Sequence, residues 1–219
     1  MSDKPTLAIL GGTGKEGPGL AMRWANAGYK VIIGSRQAEK AQATAAELNQ
    51  ELGIDTIEGM QNEDAARAAD ISILTVVATA HQPALEGLVE ALQGKILVDA
   101  TTQIKFPDAK PPMPPSAGRI AQDILGENVR VAAAFQNVPA NTLRKNLGQP
   151  VEADVLVCAD DVEAAEQVVA LAEATGMRAF YAGGLDNAIT VEGLTALLIS
   201  MNKHYGGHGT VKITGLDKQ

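Results

Sequence analysis

Cysteine is nearly absent from these 219 residues: Cys158 stands alone. One thiol excludes an internal disulfide framework and a thiolate zinc cluster. Histidine is scarce as well. His204 and His208 stand four apart, but across Gly206-Gly207 rather than within one helical run, and with His81 they form no His–carboxylate cluster at metal spacing. Long apolar runs are missing, since Gly, Asp or His interrupts them well before the ~18 residues that a membrane-spanning helix needs. Positive charge is in deficit, with 18 Lys and Arg against 26 Asp and Glu, a net charge of −8. That balance argues against nucleic acid or an anionic membrane as the main partner. The start, Met1-Ser2-Asp3-Lys4-Pro5, has no basic region followed by a long apolar stretch, so a cytoplasmic protein is expected. No low-complexity segment and no repeat of fixed period stand out. Apolar residues, in contrast, make up 46% of the chain, enough to bury the core of a globular unit.

The pattern of that apolar material alternates. Short runs at Thr6–Leu10, Tyr29–Ile33, Asp55–Gly59, Ile71–Val77 and Lys95–Val98 read as strands. Apolar throughout in the clearest cases, they suit a parallel sheet buried on both faces. Helical spacing occupies the stretches between them: Gly14–Ala27, Glu39–Leu52, Glu63–Ala69 and Gln82–Leu92. Repetition of this kind, with short links, predicts a doubly wound parallel α/β sheet. Residues 101–115 carry Pro107, Pro111, Pro112, Pro114 and Pro115 without periodicity and read as a surface loop. A helix at Ser116–Leu125 and a strand at Val129–Ala134 complete this unit. Beyond an irregular segment, Phe135–Pro150, follow a strand (Asp154–Ala159), a helix (Val162–Thr175), a strand (Arg178–Ala182) and a helix (Ala188–Tyr205). About 80 residues make a small independent core, so this second part is expected to extend the sheet and cover one edge.

Gly12-Thr13-Gly14-Lys15-Glu16-Gly17 is a G-x-G-x-x-G placed directly after a strand and at the opening of a helix. The first glycine permits a tight turn, the second a close approach of backbone to a pyrophosphate, and the third close packing of helix on strand. Helix N–H groups and the helix dipole favour the phosphates. An NAD site places Asp or Glu about 20 residues further on, to hold the ribose 2′-hydroxyl. Here that place reads Ile33-Gly34-Ser35-Arg36, with Lys40 a helical turn later. A hydroxyl, a guanidinium fork and an ammonium suit a 2′-phosphate, so NADP is favoured over NAD. Basic residues at a helix N-terminus oppose the macrodipole and call for a further reason to be there.

Catalytic patterns are wanting. There is no G-x-S-x-G, and none of Tyr29, Tyr181 and Tyr205 is followed four residues later by Lys. Cys158, in an apolar run, reads as a buried structural thiol. His81 follows the fourth strand, where it either approaches the nicotinamide half or caps the next helix. An NADP protein without an evident acid or base either hands hydride directly to a second redox cofactor or binds NADP without turnover. A carbonyl or imine reductase would need a proton donor, and only His81 or a crevice hydroxyl is on offer.

Taken together, these motifs resemble the NADPH-dependent reductases of the deazaflavin coenzyme F420. The similarity is carried by Ile9–Gly14, Gly34-Ser35-Arg36 with Lys40, Leu74-Thr75-Val76 with His81, Ala134–Ala140, the Cys158–Asp161 run, and the last helix with Asn202 and Tyr205. It implies a Rossmann-type NADP-binding domain, residues 1–140, and a small C-terminal α/β domain, residues 141–219, that closes the cofactor cleft. It implies direct hydride transfer between NADP(H) and F420, or a flavin-like acceptor, in a homodimer whose partners are small redox cofactors. By position, Gly12, Thr13, Gly14, Lys15 and Glu16 belong to the pyrophosphate loop, and Ser35, Arg36 and Lys40 meet the 2′-phosphate. Val76, His81 and Ala140 lie along the nicotinamide ribose, with Val211 of the tail closing over it. Backbone groups of Gln136 and Val138 face the deazaflavin. A non-catalytic NADP(H) sensor and a small carbonyl or imine reductase stand as the alternatives.

Overall fold

The computed structural model describes residues 4–105 and 109–216. Residues 1–3, residues 106–108 with Pro107 of the proline-rich segment, and residues 217–219 lie outside them, so expectations that fall there are not addressed. The chain opens with β1 (Leu7–Leu10), α1 (Gly17–Asn26), β2 (Val31–Ser35), α2 (Ala38–Leu52) and β3 (Ile57–Gln61). It continues with α3 (Asn62–Ala68), β4 (Ile71–Leu74), α4 (Ala78–Glu86), α5 (Val89–Leu92) and β5 (Ile96–Asp99). After the proline-rich loop come α6 (Ala117–Leu125), β6 (Arg130–Ala133), α7 (Ala140–Leu143) and β7 (Asp154–Ala159). The last elements are α8 (Val162–Ala174), β8 (Arg178–Tyr181), a 3₁₀ turn at Leu185–Asn187 and α9 (Ala188–Tyr205).

All eight strands join one sheet in the order β3-β2-β1-β4-β5-β6-β7-β8. The first six are parallel, as the alternation of strands and helices requires. This is the doubly wound Rossmann arrangement, with its switch point between β1 and β4. Burial explains the strands: Leu7 and Ile9 point into one hydrophobic layer, Ala8 and Leu10 into the other, and none of the four touches solvent. Helix ends follow the glycines. Gly28, Gly53 and Gly206 take left-handed backbone angles just past α1, α2 and α9. Among the described residues no helix is long and apolar enough to cross a membrane.

The C-terminal part adds to the same sheet. β7 runs antiparallel to β6, and β8 lies parallel to β7. One hydrophobic layer runs from Leu7 and Trp24 through Ala134 to Val155, Val168 and Leu171. Arg23 of α1 ties the two parts further. Its guanidinium is buried and donates to the carbonyls of Leu143 (2.7 Å), Thr175 (2.8 Å) and Lys145 (2.6 Å). Because β7 is reversed, its first residue, Asp154, stands at the end of the sheet where the parallel strands finish. The tail returns there: Asp154 N–H donates to the Val211 carbonyl at 2.9 Å, and Ile213 N–H donates to the Asp154 carboxylate at 2.6 Å.

Several boundaries differ from the reading of the sequence. α1 starts at Gly17, not Gly14, because residues 11–16 form the loop. β4 stops at Leu74, and Val77, expected within the strand, is 70% exposed. The single helix expected at 82–92 is two, α4 and α5, separated by Gly87 and Leu88, and α4 begins earlier, at Ala78.

Candidate active site

The loop between β1 and α1 is built by close approach. Gly11 takes φ +72°, and a Cβ there would sit 2.6 Å from Val76 Cγ1. The left-handed turn therefore falls on Gly11, one residue before the glycine to which the motif assigned it, and Gly12 instead lies against Ile9. A Cβ on Gly17 would stand 2.6 Å from the Cα of Gly12, so the third motif glycine does let helix pack on loop. At Gly14 the nearest atom to an added Cβ is 3.6 Å away, which leaves the loop's outer side open. Asn62, the first residue of α3, accepts from Gly11 N–H at 3.0 Å and steadies the loop from across the sheet.

A cleft of about 1120 Å³ opens over this loop, at the carboxyl ends of β1, β2 and β4. Thr13, Gly14, Ser35, Arg36, Lys40 and Val76 are brought together on its walls. Arg36 and Lys40 have no ion-pair partner among the described residues, whereas Ser35 Oγ receives the Gln37 N–H at 3.3 Å. The opposite wall comes from α4, through Thr79, Ala80, Pro83 and Ala84, which sequence patterns had not marked. Glu63 also lines the cleft, ion-paired with Arg67 at 2.6 Å. Gly12, Lys15, Glu16, His81, Gln136, Val138, Ala140 and Val211 are not part of that lining.

Each of these has a definite place. Gly12 is buried in the turn, and Lys15 is exposed. Glu16 precedes α1 with Oε1 shut away from solvent and unpartnered, and burial pushes its carboxyl up to about 8. Ala140 is half-buried at the first turn of α7. Val211 lies in the tail beside Asp154. The segment after β6 is tightly organised. Phe135 is buried at φ +75°, a conformation uncommon outside glycine. Its ring meets Trp24 edge-on with centroids 5.8 Å apart. The Gln136 carbonyl accepts from Thr195 Oγ1 at 2.7 Å, and Val138 N–H donates to the Phe135 carbonyl at 2.9 Å. Of the two backbone units expected to face an acceptor, these groups already have protein partners.

His81 does not line the cleft. It is buried in α4, with Nε2 2.6 Å from Asp99 Oδ2 at the end of β5. Glu192 of α9, also fully buried, accepts from Gln103 N–H at 2.9 Å and Ala117 N–H at 2.7 Å. Burial raises its pKa, and the two N–H donors oppose that rise. The separation of His81 and Asp99 by 18 positions and that of Glu192 from both leave no local pattern to read. Burial likewise pushes the Cys158 thiol up to about 11, the state of an inert structural cysteine.

Comparison with known proteins bears on this architecture. Residues 6–103 match the family model described as NADP oxidoreductase, coenzyme F420-dependent. The chain is 38% identical to the F420-dependent NADP reductase of Methanothermobacter thermautotrophicus, over 97% of this chain and 96% of that protein. It is similarly 38% identical to the F420-dependent NADP reductase of Methanocaldococcus jannaschii, over 96% and 99%. Among solved structures it is similar to a putative F420-dependent NADP reductase from Arthrobacter sp. FB24. There the TM-score is 0.78 at 25% identity, with 94% of this chain and 96% of that one covered.

Proposed function

The chain belongs to the coenzyme F420-dependent NADP oxidoreductases, and from that premise we propose that it transfers hydride directly between NADP(H) and coenzyme F420. The observation that carries the nucleotide half is the corner at the end of β2. There Arg36 and Lys40 stand in the cleft without carboxylate partners, beside Ser35. A 2′-phosphate would satisfy both cations, and a carboxylate at this corner would repel it. The open side of Gly14 fits a pyrophosphate passing the start of α1, with Thr13, Lys15 and Glu16 beside it. Val76, His81 and Ala140 then belong to the nicotinamide ribose, with Val211 above it.

When bound, the deazaflavin supplies the carbon that accepts or returns hydride. Gln136 and Val138 would hold its ring through the backbone groups they have left, the Gln136 N–H and the Val138 carbonyl. Hydride passed between two cofactors asks the protein for alignment and exclusion of water, which suits a cleft whose one carboxylate among the described lining residues, Glu63, is engaged by Arg67. We read residues 1–140 as the NADP-binding unit and residues 141–219 as the part that closes the acceptor side. The names of the curated relatives favour this reaction over an NADP(H) sensor or a carbonyl or imine reductase. A flavin is the other acceptor to try.

We further read the protein as a cytoplasmic homodimer that binds no nucleic acid. The dimer is supported by α9, where Leu197, Met201 and Tyr205 recur every four residues and are 55%, 45% and 77% exposed. Such a stripe is unusual on a surface that stays in water. The reaction is tested by following NADPH absorbance with purified protein on adding oxidised F420, FAD or FMN in turn. Rapid loss with F420 is expected. No loss with any of the three would refute hydride transfer.

A further inference from the structure

Asp99 has no part in the function outlined so far, yet it is placed with care. It ends β5 on the crevice side and is completely buried. Its Oδ1 accepts Thr101 N–H at 2.9 Å, which leaves Oδ2 to the His81 ring at 2.6 Å. A buried carboxylate is costly unless each oxygen is partnered, and here the second oxygen has only the imidazole. Glu192 is held by the loop and α6 instead, its two oxygens accepting from the backbone N–H groups of Gln103 and Ala117.

Asp99 is also the hub of unpartnered polar atoms. Thr101, bonded to the Asp99 carboxylate, keeps a buried Oγ1 without a partner. Gln136 donates from Nε2 to the Asp99 carbonyl at 2.8 Å and keeps a buried Oε1 without a partner. The Nδ1 of His81 makes no hydrogen bond among the described residues. Buried polar atoms such as Thr101 Oγ1 and Gln136 Oε1 are rarely left so, and they mark the place of a polar ligand or ordered water.

We propose that Asp99 is a positioning residue that sets the His81 ring for the nicotinamide ribose. A carboxylate accepting at Nε2 fixes the hydrogen of a neutral imidazole on that nitrogen. Nδ1 is then the bare acceptor, matched to a donating sugar hydroxyl. This rests on the assignment of His81 to the nicotinamide half made above.

The test compares two probes in direct binding to the intact protein: NADPH, and adenosine 2′,5′-bisphosphate, which carries the phosphorylated adenosine alone. Asp99→Asn and His81→Gln are each expected to weaken NADPH about tenfold, the worth of one hydrogen bond. The bisphosphate should bind both variants as it binds wild type. The double variant should be no weaker than either single one, because the two residues act as a unit. Unchanged NADPH affinity, additive losses, or a parallel loss of the bisphosphate would overturn the proposal. The ring-nitrogen shifts of His81 in wild-type protein give a readout that needs no variant. A hydrogen on Nε2 supports the proposal and one on Nδ1 defeats it. If wild type fails to bind the bisphosphate, the fault lies with the nucleotide site itself, and the tautomer still decides the role of Asp99.

Discussion

The indole N–H of Trp24 donates to the main-chain carbonyl of Leu171 at 2.8 Å, across 147 positions of sequence. Leu171 lies in the last turn of α8, where carbonyls run out of helical partners. A side chain of the N-terminal part thus caps a helix of the C-terminal part. Trp24→Phe should cost about 1–3 kcal/mol, the penalty for a buried carbonyl left alone, read from denaturant midpoints. Far-UV and near-UV signals should still fall together. Two separated transitions would show that the parts fold independently.

The proposed 2′-phosphate corner predicts a loss of preference for the phosphorylated nucleotide. Arg36→Glu should weaken NADPH by about 1.5–3 kcal/mol, roughly 10- to 150-fold, the range for a charged hydrogen bond. NADH, which has no phosphate to be repelled, should lose far less. Equal losses for both nucleotides would move the phosphate elsewhere.

Glu16 makes stability depend on pH. Its carboxyl titrates near 8 in the folded chain because burial disfavours the charge, against an ordinary value of 4.5. The folded state therefore holds a proton that the unfolded chain has released, and stability falls as pH rises from about 4.5 to 8. Glu16→Gln removes that slope. Its melting temperature should match wild type near pH 4.5, pull ahead through neutral pH, and keep a constant lead beyond pH 8. A lead that shrinks with pH would mean the carboxylate is favoured where it stands.

Leu197→Glu on α9 should convert a dimer to a monomer in sedimentation velocity, since a buried charge is not tolerated in an apolar interface. Its far-UV spectrum should be unchanged, because the side chain is already half in water. A dimer that persists places the interface on another face.

Which parts were legible follows from how local their causes are. β1 and β2 announce themselves because both faces are buried and glycine follows, as Leu7–Leu10 before Gly11 shows. α2 and α9 end at glycines that take the left-handed turn. The glycine loop and the Ser35–Arg36–Lys40 corner lie on one short stretch, so their meeting in the cleft could be expected. The turn itself slipped by one residue, because only the contact of Gly11 with Val76 decides which glycine must lack a side chain. The stretch 82–92 read as one helix because Gly87 alone is a weak stop, and Pro83, which in a helix starting at 82 would stand in the first turn, lies inside α4 instead. His81–Asp99, Asn62 at the Gly11 amide and Glu192 at the Gln103 and Ala117 amides were out of reach. Each joins residues whose spacing repeats nothing, and only the tertiary packing of strands and helices brings them face to face.

The reversed course of β7 settles on which rim of the sheet the tail is held. Lys4 and Thr6 enter at the rim where the parallel strands begin, whereas Val211 and Ile213 are fastened to Asp154 on the rim where they finish. A purification handle or fluorescent reporter joined ahead of Lys4 would leave cofactor traffic undisturbed. The same addition after Ile213 would crowd the entrance, a practical choice decided by the direction of one strand.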